Sequence, residues 1–236
     1  VGDFKDDDED FFGDDATDGT ATEGGGGVSL DLTEADLSDG IFKAIPLGTW
    51  IKLKIYEVTP GMVKSGNNYG KPKYQITFIS QDDCEWGAKR KFTEFANLYG
   101  KAFFVAFPIL RSIGMAPTKE MLAPGKGAFF ASTYADEFPA EMGDLITDVK
   151  RIPNGAYVFP APSAMQGQFL YAKITGYRGN QSGFKEYKSE ANAIADPTEN
   201  NTRAFPKFGE YKSVEDFEAM QADQSESVSV FKGDKD

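Results

Sequence analysis

Residues 49–58 read TWIKLKIYEV, a strict alternation of side-chain character. A helix would scatter these positions around its circumference. Only an extended strand sets Ile51, Leu53 and Ile55 on one face and Trp50, Lys52, Lys54 and Tyr56 on the other. The first set can build a core. The second is unusual for a solvent face, because two large rings bracket two lysines. Either the rings pack beneath a loop, or they stack on bases while the lysines meet phosphates.

The same texture returns along the chain. Residues 59–72 read as a Gly/Asn-rich loop with Lys64, Tyr69 and Lys71 at its tip. Residues 73–80 are expected to be a strand with Tyr74, Ile76 and Phe78 inward and Lys73, Gln75 and Thr77 outward. Residues 87–92 read as a third strand holding Lys89, Arg90 and Lys91, of which at most two share a surface. Residues 168–177 alternate Leu170, Ala172 and Ile174 inward against Phe169, Tyr171, Lys173 and Thr175 outward. A turn at 178–183 and a returning strand at 184–195 then add Tyr177, Arg178, Phe184 and Lys185 to the basic-aromatic set.

Between the two strand groups lies an expected helical and irregular insertion at about 93–165. Phe95, Leu98, Ala102, Phe103, Ala106 and Leu110 fall near helical spacing, with Pro108 expected to kink the segment and Gly114 and Pro117 to stop it. This face reads as packing. A shorter helix is expected at 118–122, and Phe129, Phe130, Tyr134 and Phe138 would pin the insertion to the body. Gly125-Lys126-Gly127 is no phosphate loop, since the upstream Gly and following Ser/Thr are missing.

Charge divides the chain. Residues 1–40 carry fourteen acids and one Lys, and 206–236 carry eight acids and four Lys, so that 41–205 is left at +5 within a total of −12. The Gly-rich stretch 1–40 combines low hydrophobicity with high charge and is expected to be a disordered arm and linker. Residues 206–236 are expected to be an acidic tail. A basic body between acidic arms suits a polyanion binder, with arms that compete for its surface. Residues 6–10 run into Phe11 and Phe12, either as a solvated charge run or as a short docking motif for a basic groove. A calcium loop from Asp8 fails, because Phe12 and Gly19 stand where ligands belong.

Several classes of function fall away. The chain has no His and one Cys, Cys84, which rules out a Cys/His zinc site, a disulfide framework and a His-dependent triad. No apolar run reaches membrane length, and the acidic N-terminal residues do not fit a secretion signal. The expected setting is cytoplasmic (the host cytoplasm if the chain is viral), with no membrane partner. Asn-X-Ser/Thr matches at Asn180 and Asn200 are then without meaning.

Strand, long loop, strand, strand, helical insertion and hairpin is the order of an OB-type five-stranded antiparallel barrel, within a mainly β (α+β) fold flanked by the acidic arms. The stretch FKAIPLGTWIKLKIYEVTPGMVKSGNNYGKPKYQITFIS, then KRKFTEF, then GQFLYAKITGYRGNQSGFKEYKSEANAI, resembles bacteriophage single-stranded DNA-binding proteins of the OB-fold type over roughly residues 41–195. The resemblance implies sequence-independent binding of single-stranded DNA in replication and recombination. It also implies an acidic tail that competes with DNA and docks replication enzymes such as a polymerase, helicase or primase. That family carries the aromatic-bearing acidic tail at its C-terminus; here the stronger version, residues 6–12, is N-terminal.

The expected stacking residues are Trp50, Tyr56, Tyr69, Tyr171 and Tyr177. The expected phosphate contacts are Lys52, Lys54, Lys64, Lys71, Lys73, Lys89, Arg90, Lys91, Lys173, Arg178 and Lys185, with Phe11 and Phe12 for partner docking. No catalytic residue, metal or cofactor is expected. The alternatives are a structural or interaction protein, such as a virion component or a DNA-mimicking inhibitor, and a Mg²⁺-dependent nuclease. Gly-rich flanks argue against DNA mimicry, and the nuclease candidates Asp136, Glu137, Glu141 and Asp144 lack ligand spacing.

Overall fold

The computed structural model describes residues 44–181 and 185–230, with backbone alone for 224–230. The arm at 1–40 with Phe11 and Phe12, and Phe184 in the expected second hairpin, lie outside the described residues.

Strands β1 (Trp50–Met62), β2 (Pro72–Ser80) and β3 (Lys91–Asn97) are followed by short strands β4 (Ala128–Ala131), β5 (Ile146–Thr147) and β6 (Tyr157–Val158), then by β7 (Phe169–Gly179) and β8 (Ala204–Lys212). The long strands form one antiparallel sheet in the order β3-β2-β1-β7-β8, and β5-β4-β6 form a small parallel one. The fold is therefore mixed, dominated by a five-stranded antiparallel sheet with short helices. No ladder joins the edges β3 and β8 among the described residues, so the sheet is not closed. The Phe208 ring of β8 nevertheless meets Phe92 of β3 edge-on at 5.3 Å.

Alternation sets the core. Ile51, Leu53 and Ile55 of β1, Tyr74, Ile76 and Phe78 of β2, and Leu170, Ala172 and Ile174 of β7 are all buried. A bulge between Ile55 and Glu57 leaves Tyr56 and Glu57 both in solvent and returns Val58 to the core. β1 runs on through Pro60, because β7 pairs only with Trp50–Lys54 and a residue without an N–H interrupts no second ladder there.

Several expectations need correction. The third strand is not 87–92 but Lys91–Asn97; residues 81–90 form a loop. Ser80 Oγ closes that loop, donating to Gly87 O (2.7 Å) and accepting from Arg90 N (2.8 Å). Residues 93–97 thus extend a strand, and the helix α1 spans only Ala106–Ser112. Phe92 and Ala96 are buried four positions apart, a spacing that strand and helix periods share. Pro108 sits in the first turn of α1, where the ring is tolerated without a kink. Residues 119–122 make turns rather than a helix.

The hairpin partner of β7 is likewise not 184–195. That stretch makes a single bridge, Tyr177 to Tyr187, and after the short helix α2 (Pro162–Met165) it supplies helix α3 (Glu190–Ile194), whose N-cap Ser189 accepts from Asn192 N at 3.1 Å. β8 pairs with β7 instead, and helix α4 (Val214–Val230) follows it, so residues 206–230 are strand and helix rather than tail. Pro206 and Gly209 hid this strand in the sequence; an edge position accommodates both. Gly179 is required where β7 ends, because a Cβ there would fall 2.1 Å from the side chain of Asn201. That buried amide accepts from Gln181 N (2.8 Å) and donates to Ala193 O (3.0 Å), tying the β7–β8 connection together.

Candidate nucleic-acid interface

The outward positions of the main sheet form one wall. Cross-strand register places Trp50 opposite Lys173, Lys52 opposite Tyr171 and Lys54 opposite Phe169, all on the face away from the core. On the other side of β1, the Lys91 ammonium lies 4.9 Å from the Tyr56 ring centre, and that of Lys73 lies 4.8 Å from Phe95. Lys52 sits between two rings, 6.0 Å from Phe169 and 5.9 Å from Tyr171. Lys54 lies 5.8 Å from Phe169, and Lys173 lies 5.6 Å from Trp50. Each outward lysine thus holds its ammonium within cation–π range of an aromatic ring. Among these five, only Lys173 is held by a carboxylate among the described residues, that of Glu210 at 2.8 Å.

The expected residues therefore divide. Trp50, Lys52, Lys54, Tyr56, Lys73, Lys91, Tyr171 and Lys173 gather on the wall. Lys64, Tyr69 and Lys71 stand exposed on the β1–β2 loop, beyond the Lys73 end; Tyr69 is 73% exposed. Lys89 is in the 81–90 loop with φ of 55°, paired loosely with Asp82 at 3.7 Å. Arg90 turns to the Phe92 ring, 5.4 Å away, leaving Lys91 as the one member of its cluster on the wall. Lys185 is engaged with Asp196 and with Thr198 (3.0 Å), a hydrogen-bonded pairing that pulls the Asp196 carboxyl well below its ordinary range. Arg178 pairs with Glu186 at 3.7 Å, while its Nε is buried without a hydrogen-bond partner.

Tyr177 has no ring face to offer. The irregularity at Ile174/Gly176 leaves Thr175 out of the register and reverses the phase of β7, so that Tyr177 turns into the core at 2% exposure. Its hydroxyl accepts from Ile45 N (3.1 Å) and donates to Ile45 O, fastening the segment before β1. Tyr177→Phe is expected to cost about 1–3 kcal/mol in urea unfolding, by stranding two buried backbone groups, and to leave oligonucleotide affinity unchanged.

Two further rings stand on the wall. Helical spacing places Phe95 on a packed face, yet it is 52% exposed on β3; Phe169, outward by alternation, is 40% exposed beside the expected stacking residues. Lysines opposite or beside both positions are the signal in the sequence. The wall also has an occupant that alternation does not announce. Phe217, on the first turns of α4, is only 5% exposed; its ring is stacked on Tyr171 (3.7 Å between centres, 19° between planes) and tilted against Trp50 (5.4 Å). Ser213 Oγ caps this helix by accepting from Asp216 N at 3.0 Å. α4 holds five acids and no cation. Burial, with the Glu218 and Asp83 charges nearby, pushes the Tyr171 phenol up.

A second polar group sits at the gap between β3 and β8. Glu94 points inward from β3, where burial raises its carboxyl to about 7 against the opposing effects of Arg178, the Phe208 N–H and Lys207. The neighbouring Tyr211 hydroxyl is buried without a partner, and burial and Glu94 hold its phenol far above the ordinary range.

Among the described residues no cluster of three acidic or Cys side chains is placed to hold a metal ion, and no helix is long and apolar enough to cross a membrane. Of the nuclease candidates, Glu137 is bonded to Ser163 N and Oγ, both at 2.7 Å. Compared with protein-family models and with curated proteins, the chain matches none.

Proposed function

We propose that this protein binds single-stranded DNA without catalysis, holding bases on the rings of the wall and phosphates on its lysines. The observation that carries the reading is the convergence of Lys52, Lys54, Lys73, Lys91 and Lys173, from four strands, each against an aromatic ring on one face. Ring faces serve any base, and ammonium groups serve any phosphate, so such a wall is tolerant of sequence. In an OB-type barrel, the join between β3 and β8 would be made by the Phe92–Phe208 contact and the Glu94 carboxylate on the Phe208 N–H. Action in phage replication and recombination in the host cytoplasm, with replication enzymes recruited through acidic segments, completes the proposal.

α4 is the modulating acidic segment in this reading. Phe217 occupies on Tyr171 the place a base would take, and the acidic residues Glu215, Asp216 and Glu218 flank it along α4. Phe217→Ala is therefore expected to tighten oligo(dT) binding by about tenfold at low salt, the equivalent of about one stacking contact returned to DNA. Fluorescence titration of both proteins tests this; equal affinity would remove α4 from the account. The seating of an acidic helix on the wall also favours a second reading, in which the wall is an interaction surface for acidic protein segments. Failure of oligo(dT) to bind either protein would select it.

A further inference from the structure

Beside the stacked Phe217, the wall opens into a cleft of about 380 Å³ lined by Lys52, Gln81, Asp83, Phe169 and Val214. Its size is at the low end of the roughly 300–1,000 Å³ typical of small-molecule sites, suited to one nucleotide rather than to a longer stretch. Phe169 is 40% exposed, with the Lys52 and Lys54 ammonium groups beside its ring, and Val214, the first residue of α4, adds an apolar side. Lys52 supplies a cation. Gln81 and the exposed Asp83 come from the loop after β2, and they are the polar groups of the cleft that can address the edge of a base.

We infer that this cleft is a base-selective subsite that favours amino-bearing bases, guanine above all, over thymine. The inference rests on the single-stranded DNA reading of the wall and gives one position of it a preference. A base stacked on Phe169 turns its hydrogen-bonding edge toward Gln81 and Asp83. The Asp83 carboxylate only accepts. Cytosine and adenine present an exocyclic amino donor, and guanine presents two adjacent donors that match the two carboxylate oxygens. Thymine presents one N–H flanked by two carbonyl oxygens, which a carboxylate repels. The Gln81 amide can donate to the carbonyl that guanine or cytosine keeps on the same edge.

The test compares binding of equal-length oligomers: oligo(dT), oligo(dC), and oligo(dT) carrying isolated dG residues. The wild-type protein is expected to bind the dG-bearing oligomer and oligo(dC) about fivefold or more tightly than oligo(dT). Asp83→Asn, whose amide also donates to thymine carbonyls, is expected to raise oligo(dT) affinity and level the series. Equal wild-type affinities, or a preference that survives in Asp83→Asn, would overturn the subsite while leaving the wall intact. Failure of every oligomer to bind would overturn the wall and the subsite together.

Discussion

Replacing Glu94 by Gln is expected to stabilise the protein at pH 8 by up to about 3 kcal/mol and to change little at pH 4.5. Gln keeps the oxygen that accepts from Phe208 N–H and removes the charge. Raising the carboxyl from its ordinary 4.5 to about 7 means that the folded state binds a proton the unfolded state releases. Glu94 therefore costs nothing below the unfolded value. It destabilises increasingly as pH rises from about 4.5 to 7, and its full effect of about 3 kcal/mol is present above that. For a chain of this length such a difference is roughly 6–12 °C in Tm. Arg178 of β7 and Lys207 and Tyr211 of β8 face the carboxyl; the two cations oppose the shift, and burial outweighs them. Thermal melts of both proteins at pH 4.5 and 8 check the sign. A less stable Glu94→Gln at pH 8 would mean that attraction to Arg178 exceeds the cost of burying the charge.

The inner half of the sheet was legible because its residues obey one period without interruption. Ile51, Leu53 and Ile55, and then Leu170, Ala172 and Ile174, face the core as alternation requires. Legibility failed where a bulge reset the phase. Extrapolating β7 past Ile174 puts Tyr177 on the wall, but the extra residue Thr175 in its pairing with β8 turns that ring inward. Short-range spacing failed at Phe95 and Leu98, whose three-residue separation fits one face of a helix, whereas the extended backbone leaves Phe95 exposed and buries Leu98. Charge counting failed at 206–230, since net charge says nothing of pairing: β8 is held by its ladder to β7, and α4 is held by Phe217 against Tyr171 and Trp50. The wall itself was half legible. Lysines and rings at alternate positions announced its texture, whereas the loss of Lys89, Arg90 and Lys185 was set by loop geometry and nearby partners, Asp82, Phe92 and Asp196, that strand alternation does not report.

The steepest expected dependence of binding is on salt. Lys52, Lys54, Lys73 and Lys91 carry no ion pair among the described residues, so each is available to displace a counterion from the strand. Four such contacts give a slope of about −2.8 in log K against log salt, at roughly 0.7 per phosphate for single strands. Affinity should then fall by about fiftyfold between 50 and 200 mM salt. Stacking on Tyr56, Phe95 and Phe169 would persist across that range, because it involves no ion release.

Oligo(dT) titration over that salt range, for the wild-type chain and for Lys52→Ala/Lys54→Ala/Lys91→Ala, tests the wall most directly. Saturable binding is expected, with the triple variant weaker at low salt and its slope shallower by about 2. Absence of binding by the wild-type chain, or an unchanged slope in a folded triple variant, would contradict the account.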